Sequence, residues 1–185
     1  ASPFPFKGWK GNQYEGGIKT PMIMTWKNKI KSNTQFDGFI SALDIFKTSL
    51  EASSVNKEYM INADGKNIMN YLNDNDIKNE NLFWRKDKMA TVRSGDYKLI
   101  RLNDTSTVLY NIKKNYFEDF DLKINESQVH DSLLKLLSSW ENTLIDPNWI
   151  ENKNWNIVTE MIYEDLMANR DIRALSPKDL NNSVK

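Results

Sequence analysis

Residues 82–111, LFWRKDKMATVRSGDYKLIRLNDTSTVLYN, decide the fold class. Within them Leu82–Trp84, Met89–Arg93, Tyr97–Arg101 and Thr107–Asn111 are short runs of apolar, aromatic and β-branched residues. Turn-forming residues separate them, which is the texture of antiparallel strands. Ser94-Gly95-Asp96 is the clearest break: glycine accepts a positive φ without steric cost, so the chain can reverse there. The reading is a meander of three or four antiparallel strands.

Helix signals follow. From about Ser127 to Leu144, Val129, Leu133, Leu136, Leu137 and Trp140 recur at helical spacing and make one apolar face to lay on a sheet. Ile157, Val158, Met161, Ile162 and Leu166 repeat in the same way farther on, so the tail is expected to pack too. A small antiparallel sheet with a helix on one face predicts an α+β fold.

Upstream the pattern differs. Gly8, Gly11, Gly16 and Gly17 make residues 1–17 a backbone-permissive loop. The run 18–26, IKTPMIMTW, suits a short buried strand with Pro21 near its start. Ser41 can cap a helix over about Ala42–Ala52, with Leu43, Ile45, Phe46 and Leu50 on one side. Asp64-Gly65 opens a shorter helix carrying Ile68, Met69, Tyr71 and Leu72. A lone strand leaves its backbone groups without neighbours. The exposed strand 18–26 is therefore expected to promote self-association.

Composition narrows the function classes. Lys plus Arg and Asp plus Glu stand at 25 each, which removes the basic field that nucleic acid or an anionic membrane would attract. With no cysteine there is no disulfide, thiolate metal site or cysteine nucleophile, and the single histidine, His130, cannot build a multi-histidine centre. His130 is expected to be exposed at a helix start, and packing is the expected role of Trp149 and Trp155. Residues 1–20 read as no targeting signal. The start at Ala1, with no initiator Met, reads as a fragment or processed product.

The stretch 6–21, FKGWKGNQYEGGIKTP, resembles a signature of the formylglycine-dependent, arylsulfatase-type sulfatases of the alkaline-phosphatase-like superfamily. The family pattern is approximately P-L-R-G-x-K-G-x-x-Y-E-G-G-x-R-x-P. It is met at Gly8, Lys10, Gly11, Tyr14, Glu15, Gly16, Gly17 and Pro21, while Lys7 and Lys19 stand where arginine is usual. Residues 39–50 resemble the family's S-x-x-D-x-x-P-T-x-L helix, with Lys47 in place of proline. Residues 90–100 are similar to its A-V-R-x-G-D-Y-K-L-I hairpin, and Leu109-Tyr110-Asn111 to its L-Y-D strand. The combination covers about residues 6–145; residues 146–185 carry no resemblance.

The resemblance implies that residues 1–60 are the C-terminal remnant of a larger α/β catalytic domain. Residues 61–145 would be the sheet-plus-helix subdomain, and residues 146–185 a helical tail. It implies that Lys10 contacts the substrate sulfate, whereas Glu15, Gly16 and Gly17 are structural. Arg93, Asp96 and Lys98 read as hairpin residues in ordinary surface or cross-strand pairs. The C/S-x-P-S/A-R nucleophile segment is absent from these residues. Formylglycine and calcium are thus implied for the N-terminal half of the parent protein, where a periplasmic or secreted location would be usual. A chain with neither nucleophile nor metal ligands is expected to be inactive alone. Two other readings are a non-catalytic binding module of the same fold and a part of a related phosphonate or phosphodiester hydrolase.

Overall fold

The computed structural model describes residues 3–53, 58, 63–73 and 81–181. The boundary expected between residues 60 and 61 lies outside them. In chain order the elements are α1 (Glu15–Ile18), α2 (Ala42–Ala52), α3 (Ile68–Asn73), β1 (Leu82–Lys86), β2 (Met89–Ser94), β3 (Tyr97–Leu102), β4 (Ser106–Asn111), α4 (Ser127–Glu141) and α5 (Lys153–Met167). The chain divides into two compact units, Pro21–Glu80 and a larger one of Ala1–Thr20 with Asn81–Lys185.

The larger unit is built on the antiparallel sheet β1-β2-β3-β4, in that order. Its hairpins are tight: Lys86 pairs with Met89, Ser94 with Tyr97 and Leu102 with Ser106. In the last, Asn103 Oδ1 accepts the N–H groups of Thr105 and Ser106, so the side chain closes the loop. The meander and the α+β class thus form as the strand pattern requires.

Alternation along the strands makes two unlike faces. Ala90, Val92, Leu99 and Leu109 meet Leu133 and Leu137 of α4 on one, where the Phe83 and Trp140 rings stack with centroids 4.8 Å apart. Met89, Ile100, Leu102, Val108 and Tyr110 form the other with Tyr14 and with Tyr163 and Leu166 of α5. Each fully buried leucine contributes about 2 kcal/mol relative to leaving it in water. The sequence pattern placed a helix on one face; the second face is closed by the tail helix and the N-terminal loop.

Four local expectations change. No strand forms over residues 18–26: Ile18 closes α1, and residues 19–26 have no ladder partner among the described residues. The strand edge expected to promote self-association is therefore absent there, while Met22 and Ile23 are 43% and 92% exposed. In the smaller unit α2 turns its polar side inward. Asp44 and Thr48 are buried, whereas Leu43 and Phe46 are 56% and 60% exposed. The reason is hydrogen bonding: Asp44 Oδ1 accepts the Lys66 N–H, and Thr48 Oγ1 accepts the Ile68 N–H that opens α3. His130 is half-buried, with Nε2 2.9 Å from Thr107 Oγ1. Trp149 stands 84% exposed in the α4–α5 connection.

At the end of α5, Asp165 binds the chain that follows. Its buried carboxylate accepts the Arg173 N–H (2.9 Å), Arg173 Nε (2.7 Å) and Arg170 Nε (2.5 Å). Burial works to raise this carboxyl, but the hydrogen bonds from Arg173 and Arg170 outweigh it and hold it below the usual aspartate range. A lowered folded-state value means stability that is present above the unfolded aspartate range and is lost as pH falls through the folded value. Asp165→Asn is expected to cost about 1–2 kcal/mol at neutral pH. Denaturant titrations at pH 7 and pH 3 should show the gap from wild type narrowing in acid.

Candidate functional site

The site is built on the loop from Lys7 to Lys19, folded against the second face of the sheet. Its return is tight because two glycines admit close carbonyls. A Cβ on Gly17 would stand 2.0 Å from Asn12 O, and one on Gly16 would stand 2.6 Å from the carbonyl oxygens of Lys7 and Gly8. The Gly16 N–H donates to Lys7 O (2.8 Å) and the Gly17 N–H to Tyr14 O (2.8 Å). Gln13 ties the loop to its surroundings: its N–H donates to the Tyr163 hydroxyl (2.8 Å), and its Oε1 accepts from Thr91 Oγ1 (2.7 Å). Burial pushes the phenols of Tyr14, Tyr110 and Tyr163 upward, so these packed rings stay neutral.

Lys10 lies at the tip. Trp9 to Asn12 is a β-turn closed by the Asn12 N–H to Trp9 O (3.1 Å), with Lys10 and Gly11 as its central residues. Gly11 takes φ +106°, open to glycine and strained for any other residue. Lys10 is exposed and makes no hydrogen bond or ion pair among the described residues. A held backbone thus carries an uncommitted ammonium.

Beneath the loop lies a buried charge cluster. The side chains of Lys98, Glu15 and Glu118 are all 0% exposed. Lys98 Nζ lies 3.1 Å from Glu15 Oε1 and 2.8 Å from Glu118 Oε1, and Arg93 Nη1 approaches Glu15 Oε2 at 3.4 Å. Glu118 Oε2 accepts the Glu15 N–H at 2.8 Å. Burial drives the Glu118 carboxyl above the usual range, against the pull of Lys98. Lys7 donates to the Glu118 carbonyl (2.8 Å) and to Asn169 Oδ1 (2.5 Å), and its own burial lowers its ammonium value.

The structure therefore brings Glu15, Gly16 and Gly17 together under the loop and leaves Lys10 at its outer end. Lys98, expected in an ordinary surface or cross-strand pair, is fully buried between Glu15 and Glu118. A signal for this existed: Lys98 alternates in phase with Ile100 and Leu102, both buried. No sequence pattern singles out Glu118. It sits in the polar stretch NYFEDFD between β4 and α4, where a charged residue is unremarkable. Among the described residues no group of three His, Cys, Asp or Glu side chains is disposed to hold a metal ion. Glu15 and Glu118 are engaged by Lys98, Arg93 and a backbone N–H, and the calcium that the resemblance implies is expected in the N-terminal half of the parent protein.

Comparison with known proteins gives three findings. The family described as "N-sulphoglucosamine sulphohydrolase, C-terminal" matches residues 8–142. The uncharacterized sulfatase YdeN of Escherichia coli (strain K12) is 37% identical over 68 residues, a stretch that covers 37% of this chain and 12% of that protein. The crystal structures of Ps i-CgsB, alone and in complex with k-i-k-neocarrahexaose, each match with a TM-score of 0.70 and 24% identity. Each match covers 88% of this chain and 38% of the other, and identity at that level shows the fold alone.

Breaking a buried ion pair from one side leaves an uncompensated charge, which costs about 3–5 kcal/mol. Lys98→Met is expected to lose stability in that range in denaturant unfolding. Lys113→Met, whose exposed ammonium lies 3.9 Å from Asp96, should leave the midpoint unchanged.

Proposed function

The chain belongs to the N-sulphoglucosamine sulphohydrolase C-terminal family, and from that premise we propose that it is the carboxyl-terminal part of a sulfuric ester hydrolase, in which Lys10 contacts the sulfate of the substrate. The observation that carries the reading is the contrast between a held loop and its free tip. Gly8 and Gly11 frame Lys10, the Trp9–Asn12 turn fixes its backbone, and its ammonium is committed to no other group among the described residues.

The chemistry suits the task. Hydrolysis of a sulfate ester needs negative charge held on sulfate oxygens while the ester oxygen departs. A cation fixed in advance by the backbone does this without reorganising at the moment of reaction. Formylglycine and calcium, which the resemblance implies for the N-terminal half of the parent protein, would supply the nucleophile and its activation. The residues of this chain bind and orient: Lys10 donates to sulfate, while Glu15, Gly16 and Gly17 shape the loop that presents it. Spanning 12% of its curated relative and 38% of the matched structures, this chain contributes one wall of the pocket under this reading.

Two measurements test it. The 185-residue chain alone is expected to hydrolyse no aryl sulfate above buffer, with or without calcium. Turnover that scales with protein and vanishes in Lys10→Ala would overturn that expectation. In the complete protein, Lys10→Ala is expected to lower kcat/KM for an aryl sulfate about 100-fold or more. An unchanged value removes the sulfate contact. Faster turnover of a phosphodiester or phosphonate than of a sulfate would favour the related hydrolases, and no turnover of any of these esters would favour a binding module.

A further inference from the structure

We infer that Glu118 is a positioning residue for Lys10, clasping both ends of the loop that carries it; this rests on the sulfate-contact reading of Lys10. The loop leaves the body of the unit at Lys7 and returns at Glu15, and Glu118 touches both. Its main-chain carbonyl accepts from Lys7 Nζ at 2.8 Å, and its carboxylate accepts the Glu15 N–H at 2.8 Å. The stem is joined directly as well, by the Gly16 N–H to Lys7 O at 2.8 Å. Glu118 is itself immobilised: its side chain is 0% exposed and faces Lys98 Nζ at 2.8 Å. Its backbone takes φ +58°, in the left-handed region, while its carbonyl and carboxylate engage two different partners. Asn169 Oδ1 also accepts from Lys7 Nζ (2.5 Å), and Asn169 Nδ2 donates to the carbonyl of Asp119, the residue after Glu118. The turn after α5 thus braces the same clasp.

The functional consequence follows from loop physics. An ammonium at the end of an unrestrained loop samples many positions, and a catalytic group displaced by about 1 Å can lose on the order of 100-fold in rate. Pinning the stem to a buried residue shortens the free segment to the Trp9–Asn12 turn, which has its own hydrogen bond. Glu118 need not touch substrate. It acts through the placement of Lys10.

The decisive experiment is a double-mutant cycle in the complete protein, with kcat/KM for an aryl sulfate as the readout. Glu118→Gln and Lys10→Ala are each expected to lose at least about 10-fold. Adding Glu118→Gln to Lys10→Ala should cost no more than about twofold beyond Lys10→Ala alone, because the clasp has nothing left to position. Losses that multiply overturn the inference and make Glu118 a support of the fold at large. An unchanged kcat/KM in Glu118→Gln overturns it while leaving the Lys10 contact standing; an unchanged value in Lys10→Ala overturns the contact itself, and the clasp with it. Lys7→Met cuts the other side of the clasp and replaces Glu118→Gln in the cycle if that variant does not fold, with the same pattern expected. Hydrogen exchange on the 185-residue chain gives a readout independent of turnover. In either clasp variant the Asn12 and Gly16 amides should exchange about tenfold faster, with those of β2 and β3 unchanged. Equal acceleration in loop and sheet would overturn the inference.

Discussion

A lysine sealed from water needs opposite charge and hydrogen-bond acceptors sealed in with it, and Lys98 is such a lysine. Its two carboxylate partners come from distant parts of the chain: Glu15 from the N-terminal loop and Glu118 from the connection between β4 and α4. Neither can be supplied without bringing its backbone down onto the sheet. The loop from Lys7 to Lys19 therefore has to lie across the strand face, and the close returns at Gly16 and Gly17 follow from that constraint. Lys10 owes its position to a charge that it never meets.

The two faces of the sheet divide the work. Toward α4 the core contacts are apolar, with the Arg101–Glu141 ion pair and the Thr107–His130 contact at the margin. Non-directional burial of this kind stabilises the meander but specifies little beyond volume and pattern. Toward the loop and α5, apolar residues share the surface with Thr91, Lys98 and Arg93, each aimed at a named partner. Directional contacts cost more to assemble and yield one arrangement. That arrangement is what a cation at a loop tip requires if it is to meet an anion without reorganising.

The smaller unit shows the same preference for directional contacts over bulk burial. In α2, Ser41 and Asp44 form a reciprocal capping box. Asp44 then accepts the Lys66 N–H, and Thr48 holds the first N–H of α3. These polar residues join two short helices, while Leu43, Ile45 and Phe46 remain on the outside. Amphipathic spacing marks a helix and gives it two sides, but which side faces inward depends on where unpaired backbone groups of the neighbouring segment fall.

What the sequence determined by itself was local and periodic. Strand alternation broken by turn residues settled the meander, and the recurrence from Val129 to Trp140 settled the helix on its first face. The spaced glycines around Lys10, read with Tyr14-Glu15-Gly16-Gly17, settled the family and the loop that carries the candidate site. All of these depend on near neighbours along the chain, where a residue's type constrains its own backbone. The remaining features depend on residues far apart in the chain. The burial of Lys98 needs Glu118, and nothing within the stretch NYFEDFD distinguishes a buried glutamate from a solvated one. The run 18–26 has a strand's composition, yet forming a strand requires a neighbour to take up its N–H and C=O groups, and the sheet β1–β4 takes up none of them. Charge pairing and strand pairing are properties of two segments at once, so one segment's text could not contain them.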